Sequence, residues 1–128
     1  MKATFDVYRA KSYANIYRDE VFSILTNVAL YTNIPLESIT TPGRQRDVAD
    51  AKHIARYMLY HYTHNSMLKV VQLTGGTNHA TTINSLNACE DMRKTNKSFR
   101  NVFNQIESVV KLSNEKVVKL EFKPRNSF

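Results

Sequence analysis

The sequence predicts an all-α domain, a bundle of about five to six helices. Three observations carry this expectation. Apolar residues recur at three- and four-residue intervals over most of the chain, the spacing that turns one face of an α-helix into a core. Only three glycines and three prolines interrupt its 128 residues. The clearest breaks, Pro42-Gly43 and Gly75-Gly76, divide the chain into helix-sized pieces.

The elements follow in order. From Asp19 to Thr32, apolar residues at Val21, Phe22, Leu25, Val28, Ala29 and Tyr31 give a helix with one buried stripe. Asp19 and Glu20 suit its positive N-terminal end. Pro35 opens a short helical turn through Ser38. Asp47 is the expected N-cap of a helix reaching about Tyr62, with Val48, Ala51, Ile54, Ala55, Met58, Leu59 and Tyr62 on one face. Lys52 and Arg56, four apart, line one flank of that face. Ser66 caps a brief helix with Met67, Val70 and Val71 inward, and Gly75-Gly76 ends it. Thr77 or Asn78 caps the next helix, whose expected stripe is Ile83, Leu86, Cys89 and Met92. A last helix from Lys97 to about Leu112 rests on Phe99, Val102, Phe103, Ile106, Val109 and Val110.

The ends read differently. "TFDVY" and "VKLEF" alternate apolar with polar residues, a strand pattern. They could pair as a small terminal β-ribbon, or both could be loose tails. The expected organisation is an N-terminal extension over 1–18, a helical domain over 19–112 and a C-terminal extension over 113–128.

Composition narrows the function. With 42% hydrophobic and 23% charged residues the chain reads as a folded globular protein. No apolar run is long enough to span a membrane or to act as a signal peptide, so a cytoplasmic protein is expected. The one cysteine, Cys89, allows no internal disulfide and no cysteine metal cluster. It lies on a buried stripe, where a thiol is inert. Net charge is +7. Residues 1–40 hold four Lys/Arg and four Asp/Glu, residues 41–97 eight and four, and residues 98–128 six and three. The excess therefore starts at "TPGRQRD", and an excess of this kind suits a polyanionic partner, nucleic acid first.

"GGTNHATTINS" carries the motif question, since glycines ahead of a helix often cradle a phosphate. Here the glycines are adjacent, no lysine follows, and the segment before them reads as helix. Neither the P-loop nor the dinucleotide fingerprint fits. ATP binding is not expected, nor is any cofactor. The order is instead short helix, glycine turn, longer helix, the grammar of a helix-turn-helix. In such a unit the first turn of the second helix enters the major groove. His53, His61 and His64 are too scattered for a metal site and are expected on solvated helix surface. Arg93, Lys94 and Lys97 are expected to solvate a helix end. No Ser-His-Asp or paired-carboxylate arrangement is readable, so an enzyme is not expected.

The segment "GRQRDVADAKHIARYMLYHYTHNSMLKVVQLTGGTNHATTINSLN" resembles the C-terminal DNA-binding domain of the bacterial replication initiator DnaA. That family joins a basic segment to a helix, a Thr-x-x-Ser-Leu junction and a Gly-Gly-basic-Asp-His-Thr-Thr-Val signature. Here the junction is Thr63 to Met67 and the signature lies within Gly75 to Ile83. The likeness covers about residues 20–110. It implies a Trp-repressor-like helical fold that grips duplex DNA on two sides. Asn78, His79, Ala80 and Thr81 match the major-groove positions. Lys52 matches a minor-groove residue, with Arg56 beside it as a phosphate or groove contact. Arg44, Arg46, Thr63, Ser66 and Lys69 match phosphate-holding places, and Thr77 stands at the basic position after the glycines.

Three residues depart from the family pattern. Its acidic residue is Asn78 here, its first threonine is Ala80, and its basic residue is Thr77. The family's ATPase module is not in this sequence, so the resemblance implies a DNA-binding domain acting without it, in replication or transcription control. The setting implied is the nucleoid of a bacterial or phage-infected cell. The rival expectation is a protein-interaction module that keeps the fold and binds an initiator or another replication protein.

Overall fold

The computed structural model describes the backbone of residues 12–43 and 45–126, and the side chains of residues 20–43 and 45–113. Six helices follow one another, and among the described residues there is no strand. They are α1 (Ser12–Thr32), α2 (Leu36–Thr40), α3 (Arg46–Tyr62), α4 (Met67–Leu73), α5 (His79–Thr95) and α6 (Lys97–Asn126). No described helix is long and apolar enough to cross a membrane.

Local chemistry sets the helix ends. Asn33 adopts φ 60°, the left-handed conformation that asparagine tolerates, and closes α1. Pro35 precedes α2 and cannot continue the preceding helix. Ser66 caps α4, its hydroxyl accepting from the Lys69 N–H. Asn78 caps α5, its side chain accepting from the Ala80 N–H. Asn96 Oδ1 accepts from the Phe99 N–H at 3.0 Å at the start of α6.

The apolar stripes meet around α3. Val21, Ile24, Leu25 and Val28 of α1 pack with Ala51, Ile54, Ala55, Met58 and Leu59 of α3 in one core. Phe99, Phe103, Ile106 and Val110 of α6 close it. Ile39, Val70 and Cys89 complete it from α2, α4 and α5. The Phe103 ring meets Tyr57 edge-on, with centroids 4.8 Å apart. Cys89 is fully buried, and desolvation pushes its thiol up to about 12, so it stays protonated and inert.

Three expectations are corrected. Helix α3 begins at Arg46 with Gln45 in the cap position, and Asp47 sits inside the first turn, where its charge suits the helix dipole. Ile83 is exposed, and Thr82 and Ser85 take the buried positions of α5. A strict three-residue spacing drifts around a helix by about 60° per step, so Ile83 and Met92 cannot both lie at the centre of one face. The core takes Cys89 and leaves the Ile83 end outside. "VKLEF" lies in α6, which is helical through Asn126. No glycine or proline interrupts residues 97–123, so the helix simply continues. The "TFDVY" half of the expected ribbon lies outside the described residues. Helix α1 starts at Ser12 and α6 runs through Asn126.

Candidate nucleic-acid interface

The turn between α4 and α5 is built on Gly75, whose φ is 85°. A Cβ there would stand 2.4 Å from the Thr41 carbonyl carbon and 2.7 Å from Pro42 N. Glycine is thus required twice, for the left-handed backbone and for the close approach of the α2–α3 loop. The Gly76 N–H closes α4 by donating to the Val71 carbonyl at 2.8 Å. Asn78 Oδ1 accepts from the Ala80 N–H at 2.9 Å, which fixes the start of α5.

Behind this turn lies a polar pocket of about 560 Å³. The α3 side contributes Lys52, His53 and Arg56, and the turn contributes Thr77, Asn78 and Thr81. Lys52 is 3% exposed and Arg56 7%. Their spacing puts both on one flank of the apolar face of α3, and both are buried. They are covered because α5 and the α2–α3 loop supply oxygens there. Lys52 Nζ donates to the Thr41 carbonyl. Arg56 Nε donates to Thr74 Oγ1 at 2.9 Å and Nη1 to Ser85 Oγ at 3.0 Å. Ser85 Oγ also lies 2.8 Å from His53 Nδ1. One serine oxygen thus joins the Arg56 guanidinium and the His53 ring.

The electrostatics of this pocket are one-sided. Desolvation, then the neighbouring Arg56, lowers the pKa of Lys52. The same two causes, in that order, lower that of His53, against a smaller opposing effect of Asp50. Desolvation lowers that of Arg56. Among the described residues no carboxylate forms an ion pair with Lys52 or Arg56. Two cations stand in a polar cavity with neutral oxygens as their partners.

The remaining expected site residues scatter around this centre. Asn78 and His79 are exposed at the start of α5, and Ala80 and Thr81 are half-buried. Thr77 is exposed on the turn. Arg46 and Lys69 are exposed in the first turns of α3 and α4. Thr63 Oγ1 bonds the Leu59 carbonyl and accepts from Asn65 Nδ2 at 2.7 Å, while the Ser66 hydroxyl is engaged in its cap. Arg44 lies outside the described residues. Of the histidines expected on the surface, His61 and His64 are exposed, but His53 is half-buried in the pocket. Arg93 lies over the Phe103 ring at 4.4 Å and is half-buried. Among the described residues no group of three or more His, Cys, Asp or Glu is placed to hold a metal ion. Sequence reasoning missed His53, Thr74 and Ser85 as pocket residues, since no local spacing links them.

The model of the bacterial dnaA protein helix-turn-helix matches residues 21–88, more than half of the chain. The chain belongs to that family. The matched span runs from α1 into α5 and includes the whole pocket. Chromosomal replication initiator protein DnaA of Bacteroides thetaiotaomicron is 31% identical over 88 residues, which cover 69% of this chain and 19% of that protein. DnaA of Roseiflexus castenholzii is 36% identical over 59 residues, covering 46% of this chain and 12% of that protein. The chain therefore spans less than a fifth of these DnaA proteins. A crystal structure of a DNA replication initiation factor shares the fold with a TM-score of 0.63 at 19% identity, covering 85% of this chain and 35% of that one. Within the matched span α4 packs on α5 across the glycine turn, and α3 packs against both.

Proposed function

We propose that this protein binds duplex DNA with sequence preference, in a role allied to replication initiation. The observation that carries the reading is the cationic pocket beside the start of α5. Lys52 and Arg56 are buried there without a carboxylate. Charges so placed are costly to keep in the absence of a counter-ion. A backbone phosphate supplies the missing anion. The strand that carries it divides the two grooves, so α5 lies on its major-groove side and the α2–α3 loop on its minor-groove side. Lys52 reaches the minor groove or a phosphate by exchanging the Thr41 carbonyl for that acceptor. Arg44, Arg46, Thr63, Ser66, Lys69 and Thr77 position the backbone, and Asn78, His79, Ala80 and Thr81 meet base edges. The names of the DnaA relatives point to replication.

The family departures set what is read. A carboxylate only accepts, and so suits the N4 donor of cytosine. Asn78 donates and accepts, which suits adenine N6 and N7. Its Oδ1 already takes the Ala80 N–H but keeps a second lone pair. The test is selection of duplexes from a random pool, followed by titration with one position varied at a time. Adenine is preferred opposite Asn78 by about 1–3 kcal/mol. The double variant Asn78→Asp, Ala80→Thr shifts preference toward the family's box. If the double variant selects the same sequences as the parent, the start of α5 is not the reader.

A further inference from the structure

We infer that the base-reading surface extends a full turn beyond the start of α5, to Ile83 and Asn84, with a thymine methyl and an adjacent adenine as their partners. This rests on the DNA-binding reading above and deepens it. The phase of α5 is fixed by three inward residues. Thr82 Oγ1 donates to the Met67 carbonyl at 2.8 Å, Ser85 Oγ accepts from Arg56, and Cys89 lies in the core. At about 100° per residue, the line opposite them passes through Ala80, Ile83, Asn84 and Asn87. Ile83 is 39% exposed, and Asn84 and Asn87 are exposed. The same line continues to Glu90 and Asp91.

This stripe has an unusual composition for the outer face of a helix. From Ala80 to Asn87 it carries no charge, and it holds one large aliphatic side chain. It is about 10 Å long, the depth of about three base-pair steps. Past it, Glu90 is paired with Arg93 at 3.4 Å and the Asp91 carboxylate repels phosphates, so the surface that faces DNA ends at Asn87. Within the stripe, chemistry assigns the contacts. The thymine C5-methyl is the apolar group a base pair presents in the major groove, and it is the match for Ile83. The Asn84 amide makes no hydrogen bond within the described residues, and it pairs in two-fold fashion with adenine N6 and N7. His79 and Asn78 read the first step, and Ile83 with Asn84 reads the next.

Deoxyuridine tests this directly, because it removes the methyl and leaves base pairing intact. In the selected duplex each thymine is replaced in turn, and binding of the full chain is titrated. The parent protein loses about fourfold at one thymine, the worth of one buried methyl group. Ile83→Ala loses that sensitivity and binds the thymine and uracil duplexes alike. Asn84→Ala loses about tenfold of its preference for the neighbouring adenine. Both side chains are exposed, and unchanged thermal unfolding of both variants verifies that the fold is kept. A parent protein that selects sequences while Ile83→Ala keeps the parent's uracil profile overturns this inference alone. A parent protein that binds no duplex selectively overturns the DNA reading and this inference together.

Discussion

Arg56 is the residue where folding and the proposed DNA contact pull apart. Its guanidinium is 7% exposed, with two hydroxyls as partners and no ion pair. Removing such a charge from an interior is often neutral or stabilising when an apolar side chain of similar length fills the space. Neither hydroxyl would be left without a bond. Thr74 Oγ1 still donates to the Val70 or Val71 carbonyl, and Ser85 Oγ still faces His53. Arg56→Met is therefore expected to leave stability unchanged or raise it by about 1 kcal/mol. It is expected to weaken duplex binding by about tenfold, the worth of one hydrogen bond to a charged group. Thermal unfolding and a duplex titration at fixed salt check both halves. A stability loss above about 2 kcal/mol would assign Arg56 to the fold instead. The sequence placed Lys52 and Arg56 together by their helical spacing. It could not reveal their burial, because that depends on Thr41, Thr74 and Ser85, residues 11, 18 and 29 positions away.

The Gly-Gly turn is the element on which the interface hangs. It aims α5 and supports the α2–α3 loop, so one glycine couples both sides of the pocket. Gly75→Ala forces a side chain into the left-handed region, which costs about 1–2 kcal/mol. Its Cβ also strikes the backbone of Thr41 and Pro42, which no side-chain rotation relieves. Overpacking of that kind costs about 1–3 kcal/mol more. The melting temperature is expected to fall by about 10 °C or more. Gly43→Ala is the control, since nothing lies within 4 Å of a Cβ there, and it stays within about 0.5 kcal/mol of the parent. Equal melting temperatures for the two variants would remove Gly75 from this role. The turn, the Ser66 cap and the Asn78 cap were legible in sequence because each is decided within about four residues. The extent of α6 was not. Alternating apolar residues over 118–122 read as a strand, but a helix already running from Lys97 needs only the absence of a breaker to continue. The phase of α5 was misread for a related reason. Its inward residues include Thr82 and Ser85, which are polar and buried against partners on α4 and α3.

Among the described residues of the molecule, charge divides across α3. Lys52, His53 and Arg56 face the pocket beside α5. Asp47 and Asp50 lie on the opposite side of the same helix, at a cleft of about 470 Å³ formed with the end of α1 and the start of α6. Helix α3 thus presents Lys52 and Arg56 beside the start of α5, and Asp47 and Asp50 at the other cleft. Such an arrangement orients the protein on a polyanion before any base is met. If Arg46, Lys52, Arg56 and Lys69 make the proposed contacts, about four in all, log K should fall against log salt with a slope of about −3 to −5. Each cation removed should make that slope shallower by about one. Lys69→Ala and Arg46→Ala are the informative variants, since both side chains are exposed and their loss leaves the pocket intact. Asp50→Asn changes the net charge by one unit in the opposite sense, at the other cleft of α3, and should leave the slope unaltered. Total charge alone would make all three variants shift binding in proportion to their charge, with no regard to position. Titrations of the selected duplex over a salt series separate the two outcomes. If Asp50→Asn moves the slope as far as Lys69→Ala does, the cationic pocket and the start of α5 do not define the side that meets DNA.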